Sequence, residues 1–213
     1  MSGEAAASTV LYDYWRSSAS YRVRIALNML AEPFTRESVD LLAKVNRSDA
    51  HLARNPQGLV PVLEIDGHCF TQSLAIIEYL DETRGAGFLP DDAVGRQRVR
   101  ALAYAIAMEI HPVCNLNVVS HVMELAGGGD ETRTGWMRKF IGEGLGAFET
   151  MLAAPGTGIF CHGNKPGMAD ICLVPQVYNA RRWGVDLSAF PRLTAISDRC
   201  AELNAFAAAH PDR

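Results

Sequence analysis

The stretch "RSSASYRVRIAL", residues 16–27, decides how the first part of the chain folds. Just before it, "TVLYDYW" alternates large apolar residues in a way typical of a β-strand over Val10–Trp15. Just after its serines, apolar residues recur at helical spacing from Val23 onward, which predicts a helix over about Ser20–Leu30. The stretch therefore predicts a strand-to-helix turn whose helix begins among hydroxyl residues.

Up to about residue 84 the sequence continues to alternate strands and helices. After an extended "FTRESVDL" and a polar stretch with a short helix, "LVPVLEIDGHCF" predicts two short strands around the Asp66-Gly67 turn, since Asp-Gly between apolar runs indicates a hairpin. Pro61 cannot donate to a ladder, so it must lie at the edge of the sheet or at the end of its strand. The next helix, "SLAIIEYLDET", is predicted to begin with Ser73 as its N-cap. The order βαβ–αββα indicates a small α/β domain over residues 8–84.

The second part of the chain has a different pattern. Residues 85–92, "GAGFLPDD", are rich in Gly, Pro and Asp and predict a linker. From residue 93 to residue 213 only helices are predicted, and Pro112 predicts a break in the first of them near His111. We therefore expect an α/β domain followed by an all-helical domain.

Composition excludes several function classes. The formal net charge of −4 gives no broad attraction to nucleic acid or to an anionic membrane, so neither is expected as a partner. We expect no membrane span, because no apolar run is long enough, and no signal peptide, because the leader "MSGEAAAS" lacks a basic and an apolar region. The five cysteines are odd in number and form no CxxC pair, which predicts neither a metal site nor a disulfide framework. Scattered free cysteines suit a reducing compartment, so a cytoplasmic location is expected.

Two helix starts are candidate anion-binding sites. The unpaired N–H groups and the dipole of a helix N-terminus stabilise an anion, and Ser17 and Ser18 add hydroxyl donors at the first helix. Such a place would hold a thiolate at neutral pH, but the turn has no cysteine, so the thiol would have to come from a ligand. Gln72 and Ser73 mark a second site, suited to a carboxylate. The alternative that these serines only cap their helices stays open.

A third candidate is the backbone of Val60, next to Pro61. If the bond between these residues is cis, the backbone of Val60 turns outward and can pair with a peptide-like ligand by strand addition. An ordinary edge strand is the alternative reading of the same residues.

Together these segments resemble the zeta-class glutathione transferases, the maleylacetoacetate isomerase family. The first turn of that family is similar to "SSASYRVRIAL", and "NPQGLVPVLEIDG", "QSLAIIEYLDETR" and "ADICLVPQVYNARRWGVDLSAFP" also resemble family segments. The resemblance runs from about Val10 to Pro211. It implies a thioredoxin-like N-terminal domain, a helical-bundle C-terminal domain, a glutathione site between them and a homodimer.

The resemblance also implies roles for individual residues. Those implied for glutathione binding are Ser17 and Ser18 at the sulfur, Val60 beside cis-Pro61 at the peptide backbone, Gln72 and Ser73 at the γ-glutamyl end, and His111, Asn115, Leu116 and Asn117 from the helical domain. Arginine binds carboxylates bidentately, so Arg16 and Arg182, with Arg181 as the fallback, are the candidate anchors for a dicarboxylate substrate. His111 is the candidate that polarises the enolate oxygen, on which negative charge develops when the glutathione thiolate adds to the double bond of the substrate. The alternative for Arg181 and Arg182 is that they lie on a solvated helix face. The alternative for His111 is a buried structural role.

The activity that the resemblance implies is a glutathione-dependent cis–trans isomerisation of a maleyl diacid. The first expectation is conversion of maleylacetoacetate to fumarylacetoacetate in the breakdown of aromatic amino acids. Maleylpyruvate isomerisation and a transferase or dehalogenase activity on small α-haloacids are alternatives on the same scaffold. A non-catalytic binding protein is a further alternative, against which the retained serines and arginines argue.

The sequence departs from the family pattern at three places. Ala19 stands where the turn usually carries cysteine, which removes a direct thiol role for the protein and leaves the hydroxyls in place. Gly167 stands where many family members have a Ser or Thr N-cap three residues before Asp170, and glycine is tolerated as a cap. The loop over residues 43–54 is short, so the contacts that it normally makes with glutathione are not carried over.

Overall fold

The computed structural model describes residues 9–213, so the leader prediction and the first residue of the expected domain, Ser8, lie outside the described residues. The chain forms two compact units, one with the residues up to Ala86 together with Ala205–Arg213, the other with Gly87–Asn204. The expected helical domain over residues 93–213 therefore extends too far at its end. The side chains of Arg24 and Asn28 donate to the carbonyls of Ala209 and Ala205, at 3.0 and 3.2 Å, and these bonds hold the last residues to the first unit.

The first unit is a four-stranded mixed sheet with helices. Its strands lie in the order β2-β1-β3-β4, with β2 parallel to β1 and the other pairs antiparallel, which is a thioredoxin-like arrangement. Its elements are β1 (Val10–Asp13), α1 (Ser18–Met29), β2 (Thr35–Ser38), a 3-10 turn (Val45–Arg47), α2 (Asp49–Arg54), β3 (Val62–Ile65), β4 (His68–Thr71) and α3 (Ser73–Arg84). Helices α1 and α3 pack on each other, and the core is built from fully buried apolar side chains: Leu11, Ile25, Leu27, Leu63, Ile76 and Leu80.

The hairpin between β3 and β4 confirms the Asp-Gly signal. Asp66 and Gly67 have φ values of 54° and 75°, the left-handed conformation that a two-residue hairpin turn requires. Arg84 and Tyr79 of α3 donate to the Asp66 carboxylate at 2.7 and 2.6 Å, and these bonds, that from Arg84 most, lower the pKa of Asp66 from 3.8 to about 2. This link between the turn and α3 is therefore complete above about pH 4 and is lost as the pH falls towards 2.

The structure settles the position of Pro61, for which the sequence left an edge or the end of a strand open. Strand β3 begins directly after Pro61 and pairs with a strand on each side, so this proline lies at the end of a strand and not at an edge.

Helix α3 begins at Ser73, but its N-cap is Gln72, so the prediction of Ser73 as N-cap is wrong by one residue. The Gln72 side chain makes no capping bond, and its amide Nε2 donates to Gln57 Oε1 at 2.7 Å.

The second unit is helical throughout its regular elements. They are α4 (Ala93–Tyr104), a π-helical stretch (Ala105–Ile110), α5 (His111–Val113), α6 (Leu116–Ala126), α7 (Asp130–Met151), α8 (Met168–Arg182) and α9 (Pro191–Ala201), and α10 (Asn204–Ala208) begins at its last residue. The predicted break is confirmed: helical structure stops at Cys114 and Asn115, shortly after Pro112.

The long segment Ala93–Ala126 corrects the expectation that no apolar run could span a bilayer. By length and composition it is the one such segment in the described part of the chain. The break at Cys114 and Asn115 interrupts this segment.

Helix α8 begins with Gly167 as its N-cap, and the structure shows why glycine stands there. The carboxylate of Asp170 accepts from the backbone N–H groups of Gly167 and Cys161, both at 2.9 Å, so the helix start is capped from within. A Cβ on Gly167 would lie 2.7 Å from the carbonyl oxygen of Phe88, which already accepts from Met168 N. This backbone oxygen would have to shift to admit the serine or threonine of the family pattern.

We predict that Gly167→Ser lowers the free energy of unfolding by about 1–3 kcal/mol, the usual cost of overpacking, although serine is intrinsically a better N-cap. Gly129→Ser is the matched control, because Gly129 is the N-cap of α7 and a Cβ there meets nothing within 4 Å. Urea denaturation should show Gly129→Ser at least as stable as the parent protein. A Gly167→Ser variant that is equally stable would contradict the steric explanation.

Candidate active site

The turn from β1 to α1 presents the first set of predicted residues. Ser17 is the N-cap of α1, and its Oγ accepts from Ser20 N at 3.2 Å. Since the oxygen only accepts in that bond, the hydroxyl proton remains to be donated to a ligand. Ser18 is the first residue of the helix and is only 9% exposed, whereas Ser17 is half-buried. Capping and anion binding are therefore compatible at Ser17, and we predict that Ser17, whose side chain is the more exposed of the two, is the serine that contacts an anionic ligand.

A buried ion pair holds this turn from behind. Arg24 donates to both carboxylate oxygens of Asp13, the last residue of β1, at 2.8 Å, and to the carbonyl of Trp15 at 3.0 Å. Arg24 and Asp13 are 1% and 2% exposed, and Arg36 donates to the same carboxylate from the surface. Burial lowers the pKa of Arg24, and the charge of Asp13 opposes that effect. The sequence analysis did not predict this ion pair. The available signal was an arginine between two apolar residues of a predicted helix, Val23 and Ile25, both of which are buried in the structure.

The second helix start carries another buried arginine. Ser73 is 6% exposed, and its Oγ accepts from Arg22 of α1 at 3.2 Å. Arg22 is 2% exposed, so its positive charge is held inside the unit beside the N-terminus of α3. Both the charge and the helix dipole favour an anion at this place. The bond between Val60 and Pro61 is cis, as the resemblance implies.

In the second unit, the predicted residues gather at the helix break. His111 is the first residue of α5, and Asn115 is the N-cap of α6, with its Oδ1 accepting from Asn117 N at 3.1 Å. Leu116 is 46% exposed, and Asn117 is exposed as well. Trp136 of α7 donates to the carbonyl of Val113 at 2.9 Å, and this bond attaches the helix break to α7.

The candidate carboxylate anchors differ in how their charges are compensated. Arg16 donates to Tyr14 Oη at 3.2 Å and lies 4.7 Å from the centre of the Trp15 ring, and its Nε has no hydrogen-bond partner among residues 9–213. Arg181 forms an ion pair with Asp198 at 2.8 Å, so its charge is already compensated. Arg182 lies 5.1 Å from the centre of the Trp183 ring. The ion pair with Asp198 therefore makes Arg181 the weaker candidate beside Arg16, and Arg182 stays a candidate on the family resemblance.

The five cysteines of the chain are all free thiols. Desolvation raises the pKa of Cys114 to about 11, and it also raises the pKa values of Cys69, Cys161 and Cys200. A thiol with a raised pKa holds little thiolate at neutral pH. This agrees with the expectation that a reactive thiol would come from a ligand.

Comparison with known proteins places the chain and its fold in one family. Family models for the glutathione S-transferase N-terminal and C-terminal domains match residues 11–87 and 132–199. The chain belongs to the glutathione S-transferase family, in its zeta class. It is 69% identical over 206 residues to the maleylacetoacetate isomerase of Rhizobium meliloti (strain 1021), covering 96% of this chain and 97% of the relative. It is 41% identical over 203 residues to the maleylpyruvate isomerase of a Ralstonia species, covering 94% of this chain and 96% of that one.

Solved structures give the same result. A holo structure of a bacterial zeta-class maleylpyruvate isomerase has a TM-score of 0.92 at 41% identity, covering 95% of this chain and 96% of that one. The maleylacetoacetate isomerase of Anaeromyxobacter dehalogenans 2CP-1, solved with glutathione in its active site, has a TM-score of 0.87 at 44% identity, covering 97% and 96%.

Proposed function

We propose that this protein is a glutathione-dependent maleylacetoacetate isomerase, which converts maleylacetoacetate to fumarylacetoacetate. The observation that carries the proposal is the 69% identity to the Rhizobium meliloti isomerase along nearly the whole chain. The residues of the first unit also fit glutathione: a hydroxyl with a proton to donate at Ser17, and a helix start backed by a buried cation at Ser73.

Glutathione, when bound, supplies a thiolate that adds to the conjugated alkene, allows rotation about the former double bond and leaves again. The Ser17 hydroxyl donates to the sulfur anion, with the N-terminus of α1 behind it and Ser18 as the second donor. Ser73 donates to the γ-glutamyl carboxylate, because Arg22 occupies the acceptor side of its hydroxyl. Gln72 holds the same end of the tripeptide.

The substrate carries carboxylates and develops negative charge on a carbonyl oxygen. Arg16 and Arg182 bind the carboxylates, and His111 polarises that oxygen. Asn115, Leu116 and Asn117 contact the cofactor and the substrate. These assignments come from the family resemblance, and one of them is also supported by Arg16 Nε, which has no hydrogen-bond partner among residues 9–213.

We predict that Arg182→Ala raises the KM for the diacid at least tenfold, the loss that accompanies one charge-assisted hydrogen bond. The thiol pKa of bound glutathione should not change, because this arginine holds carboxylate and not sulfur. The adjacent Arg181→Ala is the matched control and should leave KM within about twofold, since its charge is paired with Asp198. Equal effects of the two changes would reject the assignment.

Maleylpyruvate isomerisation is the second candidate activity, favoured by the TM-score of 0.92 with a maleylpyruvate isomerase. The deciding experiment follows the loss of maleylacetoacetate and of maleylpyruvate with and without glutathione. We expect glutathione-dependent turnover of both and a higher kcat/KM for maleylacetoacetate. Preference for maleylpyruvate would select the second candidate. Turnover of α-haloacids alone, or of no substrate, would reject both isomerase activities.

We further propose that the protein is a homodimer in the cytoplasm. The family resemblance supports the dimer, and five free thiols suit a reducing compartment. Light scattering at micromolar concentration should give twice the chain mass of 23.2 kDa, and a particle that stays at 23.2 kDa would contradict the dimer.

A further inference from the structure

We propose that Asn46, His51 and Asn55, here called the loop platform, are positioning residues that aim the Val60 N–H at the peptide backbone of glutathione. The inference deepens the proposed function and rests on it.

The loop platform donates to two consecutive carbonyl groups just before Val60. The Leu59 carbonyl accepts from Asn55 Nδ2 at 2.9 Å and is bonded to His51 Nε2 at 3.0 Å. The Gly58 carbonyl accepts from Asn46 Nδ2 at 2.7 Å. A carbonyl oxygen can only accept, so His51 carries its proton on Nε2 in this contact.

The three side chains of the platform are buried, with exposures of 6% for Asn46, 3% for His51 and 2% for Asn55. Buried polar groups are retained where they are hydrogen-bonded, and here their donors are used on the loop. Asn55 also accepts from Gln57 N at 3.1 Å through its side chain and from Gly58 N at 2.8 Å through its carbonyl. The loop that leads to Val60 is therefore held from one side by a connected polar network.

The geometry of the peptide group transfers this restraint to Val60. The bond between Leu59 and Val60 is trans, since Val60–Pro61 is the one cis bond in the described part of the chain. In a planar trans peptide the C=O and the next N–H point in opposite directions. Because the Leu59 carbonyl is bonded to the platform, the Val60 N–H points away from it. It is thus oriented to donate to a carbonyl of an extended peptide ligand.

The platform acts only through the backbone, which makes its effect separable from the chemistry at the sulfur. His51→Ala removes one of the two donors to Leu59 and should raise the Kd and the KM for glutathione about tenfold, as for one lost hydrogen bond. The kcat at saturating glutathione and the thiol pKa of the bound tripeptide should stay unchanged, because Ser17 is untouched. A merely structural role would not give this split between KM and kcat.

The experiment compares His51→Ala with His51→Gln and His68→Ala by calorimetry with glutathione and by steady-state kinetics. Gln places an amide donor near the position of Nε2 and should restore most of the affinity. His68 lies exposed on β4 and is the matched control. Hydrogen exchange gives a direct readout: S-methylglutathione should protect the Val60 amide in the parent protein, and protect it less in His51→Ala.

Each outcome decides the inference. A parent protein that binds no glutathione would overturn the proposed function and this inference with it. If the parent protein binds glutathione and His51→Ala binds it equally well, the inference alone is overturned. The inference is also overturned if His51→Gln does not restore the affinity and the unfolding midpoints of His51→Ala and His51→Gln are both lower than that of the parent protein. In that case the platform has only a structural role.

Discussion

Replacing Ser17 by alanine is expected to lower the turnover of maleylacetoacetate ten- to a hundred-fold at neutral pH. The hydroxyl proton is available because Oγ only accepts from Ser20 N. Losing a hydrogen bond to a charged group costs about 1.5–3 kcal/mol, which corresponds to that range of rates. The change also removes a helix cap, which costs about 0.5–2 kcal/mol of stability. Turnover should therefore be compared at a temperature where both proteins are folded.

Asp92→Ala controls for the lost cap, because Asp92 caps α4 by accepting from Gly95 N at 2.7 Å. It should lower stability by a similar amount and leave the rate unchanged. Ser18→Ala is expected to have the smaller effect, since Ser18 is buried at 9% exposure. If both serine variants keep the full isomerase rate, the turn is only a helix cap.

The second large effect is expected on stability, from Arg24→Ala. Removing one partner of a buried ion pair costs about 3–5 kcal/mol, because the other charge is left buried and uncompensated. Here Arg36 still donates to Asp13, so the loss should lie toward the lower end of that range. Arg24→Ala also removes the donors to Trp15 and Ala209, which loosens the last residues of the chain from the first unit.

Urea denaturation of Arg24→Ala and Arg181→Ala separates burial from charge. Arg181 and Asp198 form a pair at the same 2.8 Å distance, but they are 54% and 60% exposed. Exposed pairs contribute at most about 1 kcal/mol, so Arg181→Ala should change stability little. If the two variants lose similar amounts of free energy of unfolding, burial does not determine how much the Asp13–Arg24 pair contributes to stability.

Local sequence signals predicted the features that depend on neighbouring residues. The Asp66-Gly67 hairpin follows from a turn that needs left-handed backbone, and the break after Pro112 follows from its missing N–H. The strand-to-helix turn was predicted as well, although α1 begins at Ser18, two residues before the predicted start. Chain order and hydrophobic period were sufficient for these elements.

What the sequence did not reveal depends on contacts between distant residues. Arg24 bonds to Ala209, 185 positions away, so periodicity could not show that the last residues join the first unit. The steric reason for Gly167 is the carbonyl of Phe88. The loop platform could not be predicted locally either, because Asn46 and His51 lie in a polar stretch whose pattern predicts a short helix but not the carbonyl groups that it contacts.

The central claim is that the first turn stabilises a thiolate that the protein itself does not carry. Titrating the thiolate absorbance of glutathione against pH, in the presence of excess protein, measures this directly. The prediction is a thiol pKa at least about one unit below the value of roughly 8.5 for a free thiol, moving back up in Ser17→Ala. A bound thiol that titrates like free glutathione in the parent protein would contradict the claim.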